Sequence, residues 1–142
     1  MSTRQVADEV GISNGSAYYV LTALVEKAYA PYSSFPVAAV VRGASGALYS
    51  GVNVENAAYP QGWCAEASAI AAMVSSGETE LQEVAVMALG DSVCTPCGGC
   101  RQKIREFANE QSKILCYGPK GLRATFTLGE LLPHSFGPDD LL

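Results

Sequence analysis

The sequence predicts a three-layer α/β/α domain with a five-stranded mixed sheet. Three observations carry that expectation: short apolar runs of strand length alternate with stretches of helical spacing, the first two runs are joined by a glycine-containing turn, and one alanine-rich segment is apolar on nearly every side. The chain has 142 residues, the size of one ordinary domain. Residues 1–142 are therefore expected to share one core, with 1–15 as a short polar N-terminal extension.

After the turn-forming run Ser13-Asn14-Gly15, the residues Tyr18, Leu21, Leu24, Val25 and Ala28 recur at helical spacing and predict a first helix over 16–29, ahead of Pro31. Residues 37–41 and 48–52 are apolar runs on either side of Arg42-Gly43-Ala44-Ser45-Gly46-Ala47, a hairpin pattern. Residues 64–76 (CAEASAIAAMVSS) read as a central helix buried all round and ended by Gly77. Residues 83–89 (EVAVMAL) read as a third strand. Pro96 occupies a first-turn position, and on the helix it opens Cys97, Cys100, Ile104 and Phe107 share one face. Strands over 114–117 and 124–127 and a short helix over 128–132 complete the pattern. The first and last helices are expected to cover one side of the sheet, and the two cysteine-bearing helices the other.

Composition narrows the function. Hydrophobic residues make up 49% and charged ones 16%, enough to bury a core and too apolar for a mostly disordered chain. Nine Lys and Arg against 14 Asp and Glu leave a net charge of -5, which opposes nucleic acid and anionic membranes and favours a small-molecule ligand. The start has no apolar leader and no run approaches the ~18 residues of a membrane span, so a cytoplasmic location is expected. The five cysteines are an odd number, and Cys94, Cys97 and Cys100 recur every third residue, a spacing better suited to metal than to disulfides.

Cys97-Gly-Gly-Cys100 lets two thiolates bind one Zn(II) from a helix start, whose unpaired amides favour the thiolate form. Further ligand candidates are Cys64, Cys94, Cys116 and His134. Cys64 stands out because Glu66 follows two residues on. At a helix N-terminus both side chains can reach one bound atom, whereas in mid-helix they would diverge. Glu66 is also the only acidic residue between Ala57 and Ser76, and a buried carboxylate without a role would be costly. Three thiolates, an open position for water and an adjacent carboxylate are the parts of a hydrolytic zinc site. Cys64-Ala65-Glu66 with Pro96-Cys97-Gly98-Gly99-Cys100 matches the pattern described for zinc nucleobase deaminases.

On these blocks the chain resembles the short, three-cysteine type of the cytidine deaminase family. Similarity extends to Tyr29-Ala-Pro-Tyr-Ser-Ser-Phe-Pro36, Gly51-Val-Asn-Val-Glu-Asn56, Tyr59-Pro60, Cys100-Arg-Gln102 and Leu131-Leu-Pro-His-Ser-Phe-Gly-Pro138. The resemblance implies zinc-dependent hydrolytic deamination of cytidine and deoxycytidine in pyrimidine salvage. It implies one zinc per chain on Cys64, Cys97 and Cys100, with Glu66 as proton shuttle. It also implies that Asn53 and Glu55 hold the ribose hydroxyls, that Phe35 packs on the nucleoside and that the Ala65 amide binds the base carbonyl. A homotetramer is implied as well, in which Ala57, Tyr59 and Phe136 come from a neighbouring subunit. The absence of Lys or Arg between Arg42 and Arg101 agrees with a nucleoside over a nucleotide.

Ala67 departs from the family, which often has an arginine there that donates to the zinc thiolates. The two helix N-termini and Arg101 are the expected substitutes. Ala38, where the family usually has glycine, affects only strand packing. Three other readings stand beside this one. A closed structural zinc on Cys64, Cys94, Cys97 and Cys100 would leave Glu66 unexplained, with Cys94 and Cys116 otherwise small hydrophobes at strand ends. A deaminase of a larger cytosine nucleoside such as blasticidin S would share the zinc chemistry. A DNA-binding helix-turn-helix over residues 3–18 would need a recognition helix that here is almost uncharged.

Overall fold

The computed structural model describes residues 14–142. Most of the expected N-terminal extension, and with it the first half of the helix-turn-helix reading, lies outside these residues. Five strands form one sheet in the order β2-β1-β3-β4-β5: β1 (Val37–Gly43), β2 (Leu48–Val52), β3 (Leu81–Ala88), β4 (Lys113–Gly118) and β5 (Gly121–Thr127). β3 and β4 are parallel and every other neighbouring pair is antiparallel. The parallel pair is almost continuously buried, as strands covered on both faces must be. Its crossover carries a helix, the connection that a parallel pair needs. The β1–β2 turn contains Gly46 at φ +91°, a left-handed conformation that favours glycine.

The described residues also form four α-helices, α1 (Asn14–Val25), α2 (Ala65–Ser75), α3 (Gly98–Phe107) and α4 (Leu128–Leu131), and two short 3-10 turns over Tyr59–Gln61 and Pro138–Asp140. Successive β1 residues face opposite sides of the sheet. Ala38 and Val40 join Ala17, Leu21 and Val25 of α1, while Ala39 and Val41 join Ala69, Ile70 and Met73 of α2 and Ile104 of α3. Full burial of a side chain such as Leu21 or Met73 contributes roughly 1.5–3 kcal/mol each. Among the described residues no helix is long and apolar enough to cross a membrane.

Four expectations need correction. α1 ends at Val25 instead of running to 29, because the Tyr29 backbone is engaged elsewhere: its amide donates to the Asn53 carbonyl (3.0 Å) and its carbonyl accepts from the Glu55 amide (2.8 Å). α4 packs on the side of the cysteine-bearing helices, not beside α1. Ala124, Phe126 and Leu128 alternate onto one face of β5, and the Thr127–Glu130 capping box starts α4 with Leu128 already pointing into the Ile104–Ile114 cluster. α2 is buried only through Ala65, Glu66, Ala69, Ile70 and Met73, while Ala71, Ala72 and Val74 stay exposed. Pro96 precedes the N-cap of α3, so it lies outside the first turn.

Gly51 sets how closely α2 lies on β2. A Cβ there would stand 2.6 Å from the Ala69 amide nitrogen and 2.9 Å from the Ala65 carbonyl oxygen, both backbone atoms that cannot swing aside. Gly51→Ala is therefore expected to push α2 away from the sheet at a cost of about 1–3 kcal/mol. Because α2 carries Cys64 and Glu66, zinc retention should fall with stability. Thermal melting together with zinc content checks this, and an unchanged midpoint would count against the close approach.

Candidate active site

Cys64 is the N-cap of α2 and Cys97 the N-cap of α3, with extended backbones at φ -74°, ψ 154° and φ -65°, ψ 167°. Their carbonyls accept the first helical bonds, from Ser68 N (3.1 Å) and Arg101 N (3.0 Å). Neither side chain caps its own helix, so both thiols project past the helix ends. Cys100 is buried one turn into α3, and the three sulfur atoms lie within 4.8 Å of one another. Tetrahedral zinc with Zn–S near ~2.3 Å places sulfurs ~3.8 Å apart, so this soft donor set fits zinc. All five cysteines are free of disulfides, and Cys94 lies outside the group of three sulfurs.

Glu66, the second residue of α2, is only 5% exposed. Its carboxylate lines a cavity of about 180 Å³ shared with Cys64 and Cys97 and walled by Phe35, Asn53 and Ala65. Burial raises the Glu66 carboxyl above its ordinary value, opposed by hydrogen bonds from the Cys100 thiol and its own amide and by the field of Lys103. Burial also pushes the Cys64 and Cys100 thiols up. At Cys97 burial pushes the same way, but hydrogen bonds from Cys100 and Cys64 outweigh it and hold the thiol below its ordinary value. The site thus pairs a metal-binding sulfur cluster with a carboxyl that can hold or release a proton.

The residues expected around a substrate divide into two groups. Phe35, Asn53 and Ala65 line the cavity. Asn53 is already committed to the backbone around Phe35: its Oδ1 accepts from Val37 N (2.9 Å) and its Nδ2 donates to the Phe35 carbonyl (2.9 Å). Glu55 lies outside the cavity lining, where its carboxylate accepts from Tyr32 N (2.9 Å), Ser33 N (3.1 Å) and the Ser33 hydroxyl. The Ser33 hydroxyl, followed by the two amides, holds the Glu55 carboxyl below its ordinary value. Ala57, Tyr59 and Phe136 are exposed and line no part of this cavity. His134 is exposed and takes no part in the sulfur group.

The family model described as the cytidine and deoxycytidylate deaminase zinc-binding region matches residues 14–116. The chain belongs to that deaminase family. The cytidine deaminase of Sporosarcina psychrophila is 40% identical over 116 residues, covering 82% of this chain and 85% of its own length. The crystal structure of cytidine deaminase from Burkholderia pseudomallei aligns with a TM-score of 0.79 at 32% identity, covering 86% of this chain and 98% of that one. Cytidine deaminase from Mycobacterium tuberculosis gives 0.72 at 35% identity, over 87% and 96% of the two chains.

Within this deaminase family, the departure at Ala67 leaves the question of what offsets the thiolate charge. Arg101 is not the donor expected from the sequence: its Nε donates to the Pro96 carbonyl (2.8 Å), one terminal nitrogen to the Leu131 carbonyl (2.8 Å) and the other to Thr95 Oγ1 (2.9 Å). The cation whose field reaches Glu66 is Lys103, and the α2 and α3 N-termini both face the sulfurs. Cys94 is a second correction. It sits half-buried in the loop between β3 and α3 and lines the cavity, whereas Cys116 is buried within β4, where burial pushes its thiol up to about 11. Thr95 and Pro96 also wall the cavity. Their signal in the sequence was adjacency to Cys97.

Proposed function

We propose that this deaminase converts cytidine and deoxycytidine to uridine and deoxyuridine with release of ammonia, a pyrimidine-salvage step carried out by one domain in the cytoplasm. The observation that carries the reading is the buried Glu66 carboxylate opening into the same cavity as Cys64 and Cys97. Cys64, Cys97 and Cys100 would hold zinc, which would supply the Lewis acidity that makes water nucleophilic at neutral pH. Glu66 takes a proton from water and places it on ring N3, then takes the second proton from the hydroxyl added at C4 and gives it to the departing amino group. The water oxygen ends at C4 and the amine leaves as ammonia. The Ala65 amide binds the base carbonyl, Phe35 packs on the nucleoside, and Asn53 and Glu55 serve the ribose hydroxyls with the amide hydrogen and carboxylate lone pairs left over from their backbone bonds.

A homotetramer completes this site, with Ala57, Tyr59 and Phe136 supplied by a neighbour. Three observations support it. The cavity of about 180 Å³ is smaller than the ~300–1,000 Å³ usual for small-molecule sites. Tyr59 and Phe136 are 76% and 59% exposed on this chain, and α2 leaves an apolar face uncovered. Light scattering of the intact protein should therefore give a tetramer. Removing the chain after Leu132 should weaken assembly and substrate binding, and a monomeric intact protein with full activity after truncation would overturn the arrangement.

Ammonia release from cytidine, deoxycytidine, cytosine, adenosine and blasticidin S tests the substrate. Turnover of the first two is expected. Release from blasticidin S alone would move the activity to larger cytosine nucleosides, and no release from any of them would overturn it.

A further inference from the structure

The end of the chain runs along one side of α3, where it meets Gln102 and Arg105. Gln102 Nε2 donates to the Phe136 carbonyl (2.8 Å), Arg105 Nε donates to Ser135 Oγ (3.0 Å), and an Arg105 terminal nitrogen pairs with Asp139 at 2.8 Å. The fit is close: a Cβ on Gly137 would fall 2.4 Å from the Arg105 guanidinium carbon. Asp140 closes the segment on itself by accepting from Gly137 N (2.8 Å). Arg101, one residue after a zinc ligand, begins this series of contacts. Of these α3 residues it reaches both ways, to the last residue of α4, Leu131, where the C-terminal segment begins, and to the cavity wall at Thr95 and Pro96.

We propose that Arg101 is a positioning residue that couples zinc retention to the seating of residues 131–139: by tying the segment just before Cys97 to the Leu131 carbonyl, it makes the metal site and the C-terminal segment hold each other in place. The inference rests on the zinc site and is independent of which nucleoside is deaminated.

The side chain suits the task. Arg101 is half-buried, and each of its three nitrogens donates to an oxygen, two of them on the adjacent residues Thr95 and Pro96 and the third on Leu131. A planar guanidinium holds three such acceptors in fixed directions, which a lysine ammonium on a flexible stem does not. The loop it braces, residues 89–97, is held at its other end by Arg123 of β5, which donates to the carbonyls of Gly90 (2.5 Å) and Ser92 (2.9 Å). Cys97 therefore enters α3 from a segment fixed at both ends by arginines, only one of which also touches the tail. Coupling between two such sites is reciprocal: if zinc favours the seated tail, the seated tail strengthens zinc by the same factor.

Two measurements on the full-length, zinc-loaded chain test this without reading activity. Zinc affinity, measured by competition with a chelator, should fall about 10- to 100-fold in Arg101→Lys, the range for groups that orient metal ligands from behind. Arg105→Met, which releases the far end of the tail without touching the cavity wall, should lower it in the same direction by less. Amide hydrogen exchange over 131–139 in the wild type should speed up when zinc is stripped, while β1 and β3 amides stay protected. Zinc affinity of Arg101→Lys within twofold of wild type would overturn the proposal, as would tail exchange that does not respond to zinc. If Arg101→Lys does not fold, the wild-type exchange comparison decides alone. Failure of the deaminase reading appears separately, as absence of ammonia release by a wild type whose zinc and exchange behaviour is unaffected.

Discussion

Glu66→Gln is expected to keep its zinc and its fold and to lose about 10⁴-fold or more in turnover of cytidine. The substitution preserves shape and polarity at a position only 5% exposed, so the neighbouring helix and sulfur cluster have no reason to move. What disappears is the ability to carry a proton. A single acid–base group is typically worth ~10² to 10⁴ in rate, and here one carboxylate serves both the activation of water and the departure of ammonia, which places the loss at or above the top of that range. Its surroundings fit the role. Burial favours the protonated form, while the Glu66 amide and the field of Lys103 favour the ionised one. Steady-state ammonia release, with zinc content and a melting curve as controls, checks the expectation. Activity within tenfold of wild type would remove Glu66 from the mechanism.

Cys64→Ala, Cys97→Ala and Cys100→Ala should each bring bound zinc from about one per chain to a small fraction of that, whereas Cys94→Ala and Cys116→Ala should retain it. A catalytic tetrahedral site uses three protein ligands and keeps the fourth position open, so no thiolate is redundant. Two of the three ligands are N-cap residues, whose backbone is also held by the first helical hydrogen bonds of α2 and α3. The variants should therefore stay folded well enough for purification and elemental analysis. Cys94 stands in the cavity wall outside the sulfur group, and Cys116 packs in β4 as a small hydrophobe. Zinc loss in Cys94→Ala would instead support the closed four-thiolate site.

The features determined by sequence alone are those whose physics is local. A Cys-x-x-Cys and a Cys-x-Glu converge on one atom only at helix starts, and both occur where the helical pattern begins, so Cys64, Glu66, Cys97 and Cys100 are legible before any fold is known. Strand number follows from apolar runs of the right length, and the hairpin from its glycines. The side of the sheet taken by α4 differs from the expectation, because Ala124, Phe126 and Leu128 carry a strand period into the helix cap. Tertiary structure alone decided the rest, because the partners are distant in sequence. Arg101 looks in sequence like a donor to the adjacent thiolates, yet its guanidinium is taken by the Leu131 carbonyl, thirty residues on, and by the segment before Cys97. Glu55 and Asn53 read as a polar pair on a strand end, but backbone amides of residues 32, 33 and 37, brought alongside by the Tyr29–Val54 bridge, claim their oxygens. A buried or half-buried polar group is assigned by whichever partner the folded chain delivers, and no spacing rule reaches across that distance.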